Sequence, residues 1–244
     1  MTKSIVIAVI GTFLVYNESM VKEVDGVMVV AHELKAPLAV LRQLALSFGE
    51  LNVQDEHIRA EMITVSERAM RRVNDLTKIR KLEEGLFEME PVAVRAVCDD
   101  VTRELQCLFK ENRRELKIKY VNRAKLVNAN RELLYSVVYN FLLNAMYYAE
   151  EGRAELMVGD TKGKVKIMIR DYGPALPIGI WREMKKGWIE QPVSIAMRPG
   201  SSGLGLYIAS KFSRYMGATV GAVRHRDGAS FYVELPISKQ ASLF

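Results

Sequence analysis

Cysteine, histidine and long apolar runs are all scarce in this chain of 244 residues, and each scarcity closes off a class of function. The two cysteines, Cys98 and Cys107, stand nine positions apart with no third partner and no metal-ligand spacing. Neither a disulfide framework nor a zinc ribbon can be built from them, and a reduced cytosolic compartment is the economical reading. The most conspicuous uncharged run, Ser4–Tyr16, is thirteen residues long. As a helix it would cover about 20 Å, short of a roughly 30 Å hydrocarbon core. Residues 1–21 are therefore compatible with a marginal membrane anchor, a buried strand or helix, or a partner-docking segment. The net charge of +6 comes from 35 Lys and Arg that are scattered, with no run of five. That balance suits phosphate-rich ligands or acidic partner surfaces, and nucleic acid is not an expected partner. The phosphate-cradling pattern GxxxxGK[ST] is missing too.

What the chain does have is two textures. From 24 to 48 apolar residues recur in heptads: Val27, Leu34, Leu41 and Phe48 in one series, Val24, Ala31, Leu38 and Ala45 in the other. A turn is expected over Gly49–Asp55. A second heptad run follows through Ile58, Met62, Val65, Ala69, Leu76, Ile79 and Leu86. Two such helices form a hairpin whose seam is too narrow for a core of its own. Pairing of two hairpins into a four-helix bundle, and so a homodimer, is the expectation. His32 falls one residue after the seam position Ala31, flanking the buried stripe, and Pro37 should bend the helix just beyond it.

Near Glu90-Pro91 the heptads stop. Helical periodicity spans Val92–Phe109 and Arg131–Tyr148, while Leu116–Val121, Ala154–Val158, Lys164–Arg170, Ala218–Val223 and Ser230–Leu235 read as strands. The last two are joined by a turn at Asp227-Gly228. The fold class expected is α+β: residues 22–90 as the helical hairpin, residues 91–244 as an α/β sandwich with one mixed sheet covered by helices.

Three motifs occur in order in the second part. Asn140 and Asn144 (NFLLNA) lie four apart on one helix face, with amide oxygens suited to Mg²⁺. Asp171 and Gly173 (DYGPA) follow a strand, where a carboxylate can accept the exocyclic amine of adenine. Gly200, Gly203, Leu204 and Gly205 (GSSGLGL) open a helix, where backbone N–H groups meet phosphate. Taken singly these are polar caps, a turn and a glycine-rich cap, and a lone helical histidine is ordinarily a surface imidazole. Their order along one chain is what points to a nucleotide site serving His32.

On these residues the chain resembles the core of a sensor histidine kinase of two-component signalling. AHELKAPL is similar to its phosphoacceptor box, NFLLNA to the asparagine box of the GHKL (Bergerat-fold) ATPases, and DYGPA and SGLGL to their glycine boxes. The resemblance covers roughly residues 22–238. It implies ATP and Mg²⁺ as cofactors, phosphorylation of His32 with Glu33 as the orienting acid, and transfer to an aspartate of a response regulator receiver domain. It further implies Mg²⁺ on Asn144 with Asn140 beside it, and adenine on Asp171 and Gly173. Gly200, Gly203, Leu204 and Gly205 would lie along the phosphates, with Tyr148 and Arg198 as further nucleotide contacts and 187–202 as a lid. A cytoplasmic location is implied, the inner face of the cell membrane being the alternative. Ala36 stands where the family has a hydrogen-bonding residue that orients water, so phosphatase activity is not expected. Tyr147 and Ala175 also depart from the family pattern, which leaves a degenerate, non-catalytic nucleotide-binding scaffold as the competing reading.

Overall fold

A computed structural model describes residues 34–35, 37–46, 55–121, 125–149, 152–161, 163–179, 181–182 and 204–239. His32, Glu33, Ala36, Arg198, Gly200, Gly203, the 4–16 segment, residues 49–54 of the turn expected over Gly49–Asp55 and the lid expected over 187–202 all lie outside the described residues. The chain divides into two compact units, Met1–Thr77 and Lys78–Phe244.

In the first unit residues 37–46 are helical, and a second helix, α1, spans Asp55–Glu83 and crosses into the other unit. The seam expected from the heptads is only partly covered. Ile58 is buried, but Met62, Val65, Ala69 and Leu76 are half-buried and Leu38 is 58% exposed. Leu86, expected on the seam, lies beyond the helix end and is 62% exposed. Helix α1 stops because Glu84 and Gly85 turn the chain, with Gly85 N–H donating to Leu82 O at 3.1 Å.

The second unit runs β1 (Glu90–Ala93), α2 (Val94–Glu111), β2 (Glu115–Tyr120), β3 (Leu126–Ala129), α3 (Arg131–Tyr148), β4 (Arg153–Thr161), β5 (Lys164–Asp171), α4 (Leu204–Tyr215), β6 (Thr219–His225) and β7 (Gly228–Pro236). Five strands form a mixed sheet in the order β2-β4-β5-β7-β6, parallel at β2-β4 and antiparallel elsewhere. The α/β sandwich is thus present. The helix expected from Val92 instead begins at Val94, because Glu90–Ala93 pairs antiparallel with Leu126–Ala129 as a separate small sheet. Neither of these short strands is marked by local periodicity. Ladder hydrogen bonds to a distant segment outweigh the helical pattern over those positions.

Alternation fixes the two faces of the large sheet. On β5, Val165, Ile167 and Ile169 are wholly buried against the helices, while Lys166 and Met168 face the open side. Helix α2 turns Val94, Val97, Cys98, Val101, Leu105 and Phe109 inward at i, i+3 and i+4 spacings. Helix α3 is buried nearly all round because it packs against α2, α4 and the sheet. Phe141 of α3 meets Phe231 of β7 with ring centroids 5.9 Å apart. Side chains of this kind contribute about 1.5–3 kcal/mol each on burial. Asn130 caps α3: its Oδ1 accepts from the N–H groups of Glu132 and Leu133, both at 3.1 Å.

Candidate nucleotide site

The described candidate residues come from three elements. Asn140, Asn144 and Tyr148 ride on α3, Asp171 ends β5 with Gly173 just after it, and Leu204 and Gly205 open α4. Helix α3 packs on both β5 and α4, so all three elements meet around its length.

The two asparagines are not equivalent. Asn140 is 3% exposed and its Nδ2 donates to Ser136 O, one turn back on the same helix, at 2.8 Å. Its amide nitrogen is thus committed to its own helix. Asn144, one turn on, is half-buried, as is Tyr148. The N-terminal half of α3 is braced from outside by Lys78, whose Nζ donates to Ser136 Oγ at 3.2 Å and pairs with Glu132 at 3.0 Å.

Asp171 is 1% exposed, on the helix-covered face of β5. Its Oδ1 accepts the N–H of Ala229 at 2.9 Å. The tip of the β6–β7 hairpin therefore holds the carboxylate. Gly228 is what allows the approach: its φ is +128°, and a Cβ there would stand 2.3 Å from Asp171 O and 2.6 Å from Oδ1. Behind the same strand Arg170, 8% exposed, donates from Nη1 to Asp171 O at 2.7 Å and from Nη2 to Asp227 Oδ1 at 2.6 Å. The loop after Gly173 is pinned as well, since Arg224 Nε donates to Leu176 O at 2.7 Å.

Charge on the open side of the sheet gathers around Tyr172. The guanidinium carbons of Arg153 and Arg170 lie over its ring, 3.9 and 4.5 Å from the centroid. Glu155 sits beside them. Burial alone would raise its carboxyl, but the hydrogen bond and charge of Lys119, with smaller help from Tyr172 and Arg153, hold it below its ordinary value. The hydrogen bond from Arg170 likewise draws Asp227 below its ordinary value.

Arg170, Arg224, Gly228 and Ala229 are not among the residues expected from sequence. The one local signal is Asp227-Gly228, which reads as a hairpin turn; nothing in it says that this turn abuts Asp171. Tyr147, which departs from the family pattern, is 48% exposed, and Ala175 is half-buried. Among the described residues no group of three His, Cys, Asp or Glu side chains could hold a metal ion. The oxygen donors on offer are amides and the single carboxylate of Asp171.

Comparison with known proteins gives this arrangement a context. Residues 129–239 match the family described as histidine kinase-, DNA gyrase B- and HSP90-like ATPase. The chain is 24% identical over 231 residues, 91% of its length, to the adaptive-response sensory kinase SasA of Prochlorococcus marinus. It is 26% identical over 216 residues, 85% of its length, to the sensor histidine kinase MtrB of Mycobacterium tuberculosis. It spans 62% and 38% of those two relatives. Among solved structures, full-length ShkA in complex with AMPPNP superposes with a TM-score of 0.60 at 20% identity, covering 88% of this chain and 46% of that one. Histidine kinase ThkA in complex with the response regulator TrrA superposes with a TM-score of 0.59 at 16% identity, covering 87% and 61%. At these identities the structures speak to the fold.

Proposed function

We propose, from the match of residues 129–239 to the histidine kinase-, DNA gyrase B- and HSP90-like ATPase family, that this chain is an ATP-dependent protein histidine kinase of two-component signalling. In this reading residues 22–90 form the dimerisation and phosphotransfer hairpin and residues 91–244 the catalytic domain. His32 accepts the γ-phosphoryl group in a homodimer, Glu33 orients its imidazole, and the group then passes to an aspartate of a response regulator receiver domain. The observation that carries the reading is Asp171: a carboxylate 1% exposed, gripped by a backbone N–H, beside the helix of Asn144. A carboxyl group kept in so buried a position is costly unless it serves a partner, and an adenine amine is a fitting donor.

The residues present suit ATP·Mg²⁺. Asp171 and Gly173 would take the base. Asn144, half-buried, would offer its amide oxygen to Mg²⁺ more readily than Asn140, which is 3% exposed. Gly205 and Leu204, with Gly203, Gly200 and Arg198 before them, would face the phosphates, and Tyr148 would close the site at the end of α3. Bound ATP supplies the phosphoryl group; the chain's own work is positioning and charge stabilisation. The half-covered seam of the hairpin supports pairing with a second copy. The solved complexes of ShkA with AMPPNP and of ThkA with TrrA favour ATP and a response regulator as ligands here. A cytoplasmic position, free or at the inner face of the membrane, fits such a partner; no described helix is long and apolar enough to cross a membrane.

Incubation with γ-labelled ATP and Mg²⁺ should give an acid-labile label that His32→Gln abolishes. Label that persists in His32→Gln would end the proposal. Tight ATP·Mg²⁺ binding with no label at all would favour the non-catalytic scaffold, for which Tyr147 and Ala175 speak.

A further inference from the structure

Arg170 points away from the nucleotide side of β5, yet it is nearly buried and ties the Asp171 carbonyl to the hairpin tip whose Ala229 N–H holds the Asp171 carboxylate. We propose that Arg170 is a positioning residue that fixes the aim of the Asp171 carboxylate and so sets the affinity and base selectivity of the nucleotide site. The inference rests on the reading of Asp171 as the adenine acceptor.

Successive residues of a strand face opposite sides, so Arg170 stands on the open face while Asp171 stands under the helices. Arg170 therefore has no route to the nucleotide and acts only through its neighbours. Its planar fork splits between two segments. Nη1 holds the Asp171 carbonyl at 2.7 Å, and Nη2 holds Asp227 through Oδ1 at 2.6 Å and its carbonyl at 3.4 Å. Asp227 leads directly into Gly228, which presses on Asp171, and into Ala229, whose N–H grips Asp171 Oδ1. The hairpin tip is thus held to the strand end from both faces: by the arginine fork behind and by the carboxylate in front. Tyr172, under the same guanidinium, fixes the first residue after the carboxylate.

Lysine cannot reproduce this arrangement, because one ammonium offers no planar fork to span two segments. The pair is also asymmetric. The Asp227 side chain is 58% exposed and remains solvated without its partner, whereas the Arg170 side chain is 10% exposed and depends on its contacts. Loss of Arg170 frees Ala229 N–H to drift, and the carboxylate turns with it. A hydrogen bond to a carboxylate that loses its aim is worth roughly ten- to a hundredfold in affinity.

The test uses the full chain, a fluorescent ATP analogue with Mg²⁺, competition by ATP and GTP, and autophosphorylation kinetics. Arg170→Met should weaken ATP·Mg²⁺ binding by roughly ten- to fiftyfold and shrink the preference for ATP over GTP by about tenfold, with kcat at saturation within about threefold. Arg170→Lys should recover only part of this, and Asp227→Asn should follow Arg170→Met in direction. The double variant should bind little worse than Arg170→Met, since the two act as one unit. Lys166→Met, which breaks the 3.1 Å pair with Glu234 on the same strand and face, should leave affinity within about twofold. Arg170→Lys and Asp227→Asn carry the test if Arg170→Met does not fold. A fall in unfolding temperature with unchanged affinity and unchanged ATP:GTP preference would overturn the proposal. Failure of the underlying reading looks different: Asp171→Asn would then bind ATP as well as the wild type, or the wild type would not bind it, and either result removes both claims.

Discussion

Replacing Gly228 by alanine separates backbone strain from steric overlap at the point where the hairpin meets Asp171. Two costs add. At φ +128° a residue with a side chain sits in a region that glycine alone adopts readily, which costs about 1–3 kcal/mol. The new Cβ would also stand 2.3 Å from the carbonyl oxygen of Asp171, a backbone atom that cannot rotate aside. Spreading the hairpin to relieve that contact costs about another 1–3 kcal/mol. The sum, roughly 2–6 kcal/mol, should lower the urea midpoint by about 1–3 M at a slope near 2 kcal/mol/M. Gly217→Ala is the internal control: its φ is +63° and nothing stands within 4 Å of a Cβ there. Only the left-handed penalty of about 1 kcal/mol applies to it, a shift of about 0.5 M. Trp181 lies in the unit Lys78–Phe244, so tryptophan fluorescence follows the relevant unfolding. Equal midpoints for the two variants would refute the claimed overlap and with it the tight seat of Gly228 on Asp171.

Other expectations are open to simple measurements. Asn130→Ala removes the cap of α3 and the 3.0 Å bond from Nδ2 to Glu88 O, so it should cost about 1–2 kcal/mol by the same fluorescence titration; a shift indistinguishable from zero would contradict the cap's role. The Cys98 thiol is pushed up to about 12, by burial first and the charge of Asp99 second, while Cys107 is exposed. A thiol reagent at pH 8 should therefore titrate one thiol in the native protein, two in denaturant, and none in native Cys107→Ser; prompt reaction of a second native thiol would show that Cys98 is accessible. Asp227 has a folded-state value below its unfolded one, held down chiefly by Arg170. Its stabilising contribution is complete above the ordinary carboxyl range and is lost as pH falls through the lower folded value. The stability gap between wild type and Asp227→Asn should accordingly narrow on acidification below that range, and a gap that widens would reverse the sign of the argument.

Elements whose signal is local are legible in the order of residues alone. Alternation at Val165, Ile167 and Ile169 identifies β5, the spacing through Leu134, Val137, Val138, Phe141 and Ala145 identifies α3, and Asp227-Gly228 marks the β6–β7 turn. Side-chain period records which way each residue faces, so one buried face is enough to write the pattern into the chain. The order of NFLLNA, DYGPA and SGLGL points to a nucleotide site because each motif carries its chemistry within a few residues.

Tertiary structure decided what depends on partners far away in sequence. The helix begins at Val94 because Val92 pairs with Val127, and no local pattern around 92 encodes that ladder. Asn140 and Asn144 share a helix face by spacing, yet one is committed to Ser136 and the other is half-buried. Above all, Arg170 and Gly228 look like a solvent-side strand residue and a turn residue when read in order. They become the seat of Asp171 only when antiparallel pairing of β5 with β7 brings the hairpin tip to the strand end. Periodicity states which face a residue takes; it is the register between strands that states what the residue meets there.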